Sequence, residues 1–350
     1  MGTTVPKKKW NKIITGSLKY VIFLALSAWL LYISFKEVKW SELVEGLRNA
    51  NYWWVGASML SGWLAIVVRA LRWRIIIEPL GYRPSVKNTY DAVMLTYLAN
   101  FAVPRLGEVV RCGALRKTEK VPFESLLGTV VLERVFDVLC LLIVTIFVVG
   151  LRMDTFGTFL HDKIWQPLTE HNAETTGLSW LAILSGVFVI TIILLFLFRK
   201  KLLQFRVVVK TWHAASLLFK GLIDGLKAGF RLKRKNQFLA GTLIIWLFYF
   251  LQSYTIMHAM SETASLGFAD ALFLMVVGAL GWVAPVPGGL GAYHFLLALA
   301  LSTMYAVSWE LGVVFATISH ETQAVMMIIF GFISLSSFLL AGKKKEIPVL

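Results

Sequence analysis

Residues 122–150 read PFESLLGTVVLERVFDVLCLLIVTIFVVG, an apolar run whose only charges beyond Glu124 are Glu133, Arg134 and Asp137. A helix needs about 20 such residues to cross a hydrocarbon core about 30 Å thick, so the run predicts a membrane span. Glu133 follows Pro122 by 11 residues, which at about 1.5 Å per residue puts it roughly 16 Å deep, near the bilayer centre. Charges at that depth cost about 2.5–3.5 kcal/mol each on insertion scales and face a partner or a water-filled cavity. Glu133 and Asp137 stand four apart, Arg134 and Asp137 three apart, spacings that meet on a helix surface. They predict a compensated cluster, serving either a substrate or only the packing of helices.

The rest of the chain agrees with a membrane solvent. Its 350 residues are 57% hydrophobic with a mean hydropathy of +0.71, where a soluble domain has about 45–50% apolar residues. Further spans are expected at 16–35, 53–71, 178–198, 237–257 and 308–340. Residues 88–116 and 267–305 differ: each is an apolar run, a Pro/Gly-rich break and a second short run, the pattern of a re-entrant hairpin. The fold class expected is an all-α polytopic membrane protein, one integral domain over 1–350, with about six full spans and two re-entrant hairpins. Lys7, Lys8, Lys9 and Lys12 precede an apolar stretch too long for a signal peptide, which reads as a retained first span. Cys112 and Cys140 show no disulfide or metal pattern.

The formal charge of +15 would suggest nucleic acid in a soluble protein; here the membrane explains it and no nucleic-acid partner is expected. With an inside N-terminus, segments 1–15, 72–88, 105–121, 199–237 and 341–350 face the cytoplasm and hold 27 of the 35 Lys and Arg, as the retention of basic loops requires. The expected location is the inner, cytoplasmic membrane with both termini cytoplasmic. Residues 202–231, inside the basic connector 199–237, place Leu218, Leu222, Leu226 and Phe230 at helical spacing and read as an amphipathic segment on the anionic leaflet, or else as a solvated connector.

The two irregular regions form a weak repeat, with units 88–150 and 267–340. Asp91 leads to Pro104 and Gly107, Asp270 to Pro287, Gly288, Gly289 and Gly291, and each unit closes in one long helix, bearing Glu133 and Arg134 in one and His320 and Glu321 in the other. The topology makes the repeats inverted, an arrangement that places transporter substrates at the repeat interface; chance similarity is the alternative. Arg105, Glu108 and Arg111, at i, i+3 and i+6, read as one helical face offering two guanidiniums to lipid phosphate, against snorkelling to headgroups, the reading adopted for Arg69, Arg72 and Arg74. Pro285, Pro287 and the three glycines expose backbone N–H groups suited to anions, or make a simple surface turn. Tyr293 and His294 follow, placed to bond a headgroup or relay a proton. His320 and Glu321 reach a depth like that of Glu133. No phosphate-binding loop, dinucleotide fingerprint, HExxH or Gly-x-Ser-x-Gly motif is present, His161, His171, His213 and His258 lack metal-ligand spacing, and no cofactor or metal is expected.

Three motifs, NFAVPRLGEVVR at 100–111, ERVFD at 133–137 and PVPGGLG at 285–291, together resemble the lysylphosphatidylglycerol synthase transmembrane, or flippase-like, family, over about residues 15–340. The resemblance adds Asn100 to the candidate substrate-binding residues. It implies a membrane domain like the flippase half of the multiple-peptide-resistance proteins, which moves aminoacylated phospholipid between leaflets, with membrane phospholipids and a lipid-modifying enzyme as partners. The chain ends a few residues after Lys345, so no aminoacylation by the chain itself is expected. His294 stands where the family often has an acidic residue, and His320 and Glu321 replace a commonly basic position, which leaves the lipid open. A membrane glycosyltransferase or its accessory subunit, and a scaffold recruiting partners through 199–237, are the alternatives; a homo-oligomer is left open.

Overall fold

A computed structural model describes residues 7–151 and 232–344, and over these the chain is helical, without strands. Its helices are α1 (Lys7–Phe35), α2 (Trp40–Asn49), α3 (Tyr52–Ile77), α4 (Val86–Ala102), α5 (Gly107–Glu119), α6 (Phe123–Leu151), α7 (Lys235–Met257), α8 (Phe268–Val283), α9 (Ala292–Met304) and α10 (Trp309–Lys344). The span expected at 178–198 and the amphipathic segment at 202–231 lie outside the described residues. Four helical stretches, Tyr52–Leu80, Phe123–Leu151, Lys235–Met257 and Trp309–Leu340, are long and apolar enough to cross a membrane, and Tyr20–Phe35 with Trp40–Asn49 makes a fifth candidate bent by 84°. The chain divides into two compact units, residues 1–145 with 229–350, and residues 146–228; of the second only 146–151, the end of α6, are described.

Both expected breaks are present, and proline chemistry sets where they fall. The residue before a proline is pushed out of the helical region, so α4, capped at its start by the Ser85 hydroxyl, stops at Val103 before Pro104. Arg105 then takes φ 64°, and the Asn100 side chain accepts the Gly107 N–H at 2.7 Å where α5 begins. In the same way α8 ends at Ala284 before Pro285, and a 3-10 turn at Pro287–Gly289 leads to α9. Gly288 and Gly291 have φ of 57° and 82°, a region that L side chains rarely enter. A Cβ on Gly288 would strike the Phe101 ring of α4, and one on Gly291 would stand 2.7 Å from the Ser27 carbonyl of α1. The two breaks therefore touch, and α1 is fastened to the second by the Ser27 hydroxyl, which donates to the Leu290 carbonyl at 2.9 Å. At about 1.5 Å per residue, α4, α5, α8 and α9 are about 20–26 Å long, short of a full crossing.

Within the first unit, α3 lies along α7, α9 along α10, and α4 against both α5 and α10. Leu43, Ile256, Leu274, Leu297, Val314 and Phe315 form one apolar core from five helices. Large apolar side chains such as Leu142, Ile143, Leu243, Phe332 and Ile333 face outward, as an exterior solvated by lipid requires.

Candidate functional site

Three helices of the first unit bring opposite charges together in the interior. Glu133 on α6 accepts hydrogen bonds from Arg69 (3.0 Å) and Arg72 (3.2 Å) of α3 and from Arg111 of α5. Asp137, one turn on, accepts from Arg72 at 2.8 Å and has Arg69 at 3.0 Å and Arg134 at 3.7 Å. The spare guanidinium nitrogens reach α7: Arg69 donates to the Tyr249 hydroxyl (2.8 Å) and Arg72 to Thr242 (3.0 Å). Arg111 lies over the Trp73 ring, 3.9 Å from its centroid, and the Trp73 N–H is held by Thr129. Arg72, Arg111 and Glu133 are about 1% exposed, so each charge depends on its partners in place of water.

Beside this cluster opens a cavity of about 690 Å³, within the range of small-molecule sites. Its lining carries Asn100, Arg69, Arg105, Glu108, Arg134 and Asp137 together with apolar side chains such as Ile66, Leu141, Ile256, Leu274 and Met326. Both breaks contribute wall, the first through Phe101 and Pro104, the second through Val286, Gly288 and Gly289. Arg134 donates to Glu108 at 2.9 Å. Arg105 is exposed and forms no ion pair or hydrogen bond among the described residues. Five arginines, counting Arg72 and Arg111 behind the wall, thus face Glu108, Glu133 and Asp137, an excess of positive charge in a setting of low dielectric.

The arrangement corrects two expectations. Arg105, Glu108 and Arg111 do not share a helix face, because α5 starts only at Gly107: Arg105 sits in the break, Glu108 faces the cavity, and Arg111 turns away into the Glu133 cluster. Arg69 and Arg72 do not snorkel. The span was expected to end near 71, but α3 continues to Ile77, and both arginines are enclosed as the partners of Glu133. Their signal was present in the sequence: Arg69, Arg72 and Trp73 fall at i, i+3 and i+4, one helical face. Arg74 also has a fixed partner, the Pro84 carbonyl at 2.8 Å.

Around the second break the buried polar groups are hydroxyls and imidazoles, with the Gln323 amide and the Glu321 carboxylate beside them. Tyr293 lines the cavity and shares a 2.7 Å hydrogen bond with Ser319, while Gln323 donates to its hydroxyl at 3.3 Å. His294, His320 and Glu321 lie outside the cavity lining, as do Pro285, Pro287, Gly107 and Gly291. His320 Nε2 is 2.8 Å from the Gly288 carbonyl, and its ring stacks on Trp282. Among the described residues, His294, His320 and Glu321 are a group whose donor atoms could hold a metal ion.

Fold and site together define a multi-pass helical membrane protein with two broken helix pairs around a largely apolar cavity that carries three arginines. Residues 20–331 match the family described as the lysylphosphatidylglycerol synthase TM region, and the chain belongs to that family, as its three motifs led one to expect. It is 29% identical over 203 residues to the UPF0104 membrane protein MJ1595 of Methanocaldococcus jannaschii, covering 57% of this chain and 54% of that one. It is 24% identical over 349 residues to the glycosyltransferase AglD of Haloferax volcanii, covering 93% and 54%. The chain spans about half the length of these curated relatives. No solved structure matches it.

Proposed function

We propose that this protein moves a phospholipid or aminolipid between the leaflets of the cytoplasmic membrane, with both of its termini on the cytoplasmic side. The observation that carries the reading is the cavity, whose lining combines Arg69, Arg105 and Arg134 with many apolar side chains, as an amphiphile with a phosphate headgroup requires. Arg105 and Arg134 hold the phosphate, since a planar guanidinium binds two of its oxygens at once, while Glu108 and Asp137 balance the site and bond donors of the headgroup. The broken pairs act as the halves of an alternating gate, the two units 88–150 and 267–340 being inverted repeats about the cavity. Irregular backbone at membrane depth is tolerated where it lines a cavity, which is where Pro104, Gly288 and Gly289 stand. A lipid-modifying enzyme is the natural source of the cargo.

The test is leaflet-resolved movement of tagged phospholipids in proteoliposomes, with Arg105→Ala and Arg134→Ala alongside the unaltered chain. A hydrogen bond to a charged group contributes about 1.5–3 kcal/mol, so each variant should slow movement about tenfold or more. Normal insertion with unchanged movement in both variants would sink the reading. A second reading is favoured by the match of 93% of this chain to a relative named a glycosyltransferase: the cavity holds a lipid-linked acceptor for sugar transfer. Sugar incorporation into lipid by the purified protein, without leaflet exchange, would select it.

A further inference from the structure

Behind the second break, three side chains with metal-ligating atoms converge from two helices, His294 from α9, and His320 and Glu321 from α10. Successive residues on a helix normally point about 100° apart and do not face each other. Here His320 Nδ1 and Glu321 Oε1 are nevertheless 3.0 Å apart, and His294 Nε2 stands 4.0 Å from the same oxygen.

The other nitrogen of His320 decides what this means. Its Nε2 is 2.8 Å from the Gly288 carbonyl oxygen, and a carbonyl only accepts, so Nε2 carries the hydrogen. In a neutral imidazole the lone pair is then on Nδ1, aimed at a carboxylate oxygen. Two acceptors at that distance repel unless a cation, either a second ring hydrogen or a metal ion, stands between them. His320 is 0% and His294 2% exposed, so bulk water does not screen them. A metal-bound histidine has this arrangement, one ring nitrogen on the ion and the other donating to a backbone carbonyl, which fixes tautomer and ring orientation.

We propose that His294, His320 and Glu321 bind a divalent transition-metal ion of the zinc class. Two imidazoles and a carboxylate leave a fourth position for water or another donor. The three donor atoms lie within 4.8 Å of one another, and bonds of about 2.0 Å in a tetrahedron require roughly 3.3 Å, so rotation of the His294 and Glu321 side chains closes the set. The Glu321 side chain is 48% exposed, which leaves it room to rotate toward the two imidazoles. Once bound, the ion ties α9 to α10 and, through the Gly288 carbonyl, to the glycine turn that walls the cavity. The proposal is independent of which lipid, if any, the cavity takes.

The test uses the full chain in detergent, stripped with chelator and titrated with Co²⁺, whose visible d–d bands report nitrogen and oxygen ligation. One saturable equivalent, displaced by Zn²⁺, is expected. It should be abolished in His294→Ala, weakened about tenfold or more in Glu321→Gln, and retained in Arg105→Ala, with size-exclusion profiles confirming that each variant is folded. Glu321→Gln replaces a half-exposed group and guards against loss through misfolding alone. No saturable band in the unaltered chain, or binding unchanged in His294→Ala and Glu321→Gln, would overturn the proposal and leave an imidazolium–carboxylate pair as the account of the geometry.

Discussion

The two breaks that wall the cavity keep their shape by different means. At the first, the chain turns at Pro104 with a non-glycine residue, Arg105, in left-handed conformation, and the helices around it are joined by the buried ion pairs of Glu133 and Asp137. At the second, glycines at positive φ fit against Phe101 and the α1 backbone, and the buried polar groups are hydroxyls and histidines. One side is held by charge, the other by space. The division leaves function with few residues: Glu133 neutralises the arginines that serve as structure, and Arg105, outside that network, remains available to a ligand.

Removing charge from the first side should have the largest effect. Glu133→Gln leaves Arg69, Arg72 and Arg111 with only Asp137 among them, and breaking a buried ion pair costs about 3–5 kcal/mol. The expected outcome is loss of the monodisperse peak in detergent, or a sharply lower melting temperature; a melt like that of the unaltered chain would show that charge does not hold this side together. On the second side, Gly291→Ala puts a Cβ 2.7 Å from the Ser27 carbonyl and 2.9 Å from the Leu31 nitrogen at φ 82°. Backbone atoms yield little, and strain of this kind costs about 1–3 kcal/mol, so the melt should fall, but less than for Glu133→Gln. The reverse order would invert the comparison.

A control sharpens the claim that the space around Gly291 matters and not glycine as such. Gly113, inside α5, has nothing within 4 Å of where its Cβ would stand and no positive φ. Gly113→Ala should therefore stabilise by about 0.5–1 kcal/mol, the ordinary helix gain, seen as a small upward shift of the melt.

Much of the fold was legible because membrane spans declare themselves by length. Five of the six expected spans have helical counterparts, and both breaks fall at the prolines and glycines that marked them. The 84° bend between Tyr20–Phe35 and Trp40–Asn49 was not legible, since no proline announces it. In the site, Glu133, Arg134 and Asp137 stood out because charge within an apolar run needs an explanation. Their partners were missed because an arginine near the apparent end of a span usually reaches for headgroups, and only the continuation of α3 to Ile77 encloses Arg69 and Arg72. Arg105 was misplaced by a helix start shifted by two residues, enough to turn its side chain off the α5 face. The contact of His320 with Gly288 joins residues 32 apart, and no local spacing encodes it.

Arg105→Ala carries the smallest expected change in stability and is the sharpest separation of structure from function. The side chain is exposed and without an ion pair or hydrogen bond among the described residues, so its removal should move the melt by no more than about 0.5 kcal/mol, the range of ordinary surface substitutions. The left-handed backbone at this position strains alanine and arginine alike, so the turn itself gives no reason for a difference. If Arg105 serves the ligand, lipid movement must nevertheless fall, because one of the guanidiniums on the cavity wall is gone. A large loss of stability would place Arg105 in the structural network with Arg69, Arg72 and Arg111. Unchanged stability with unchanged movement would leave Arg134 to meet the headgroup alone.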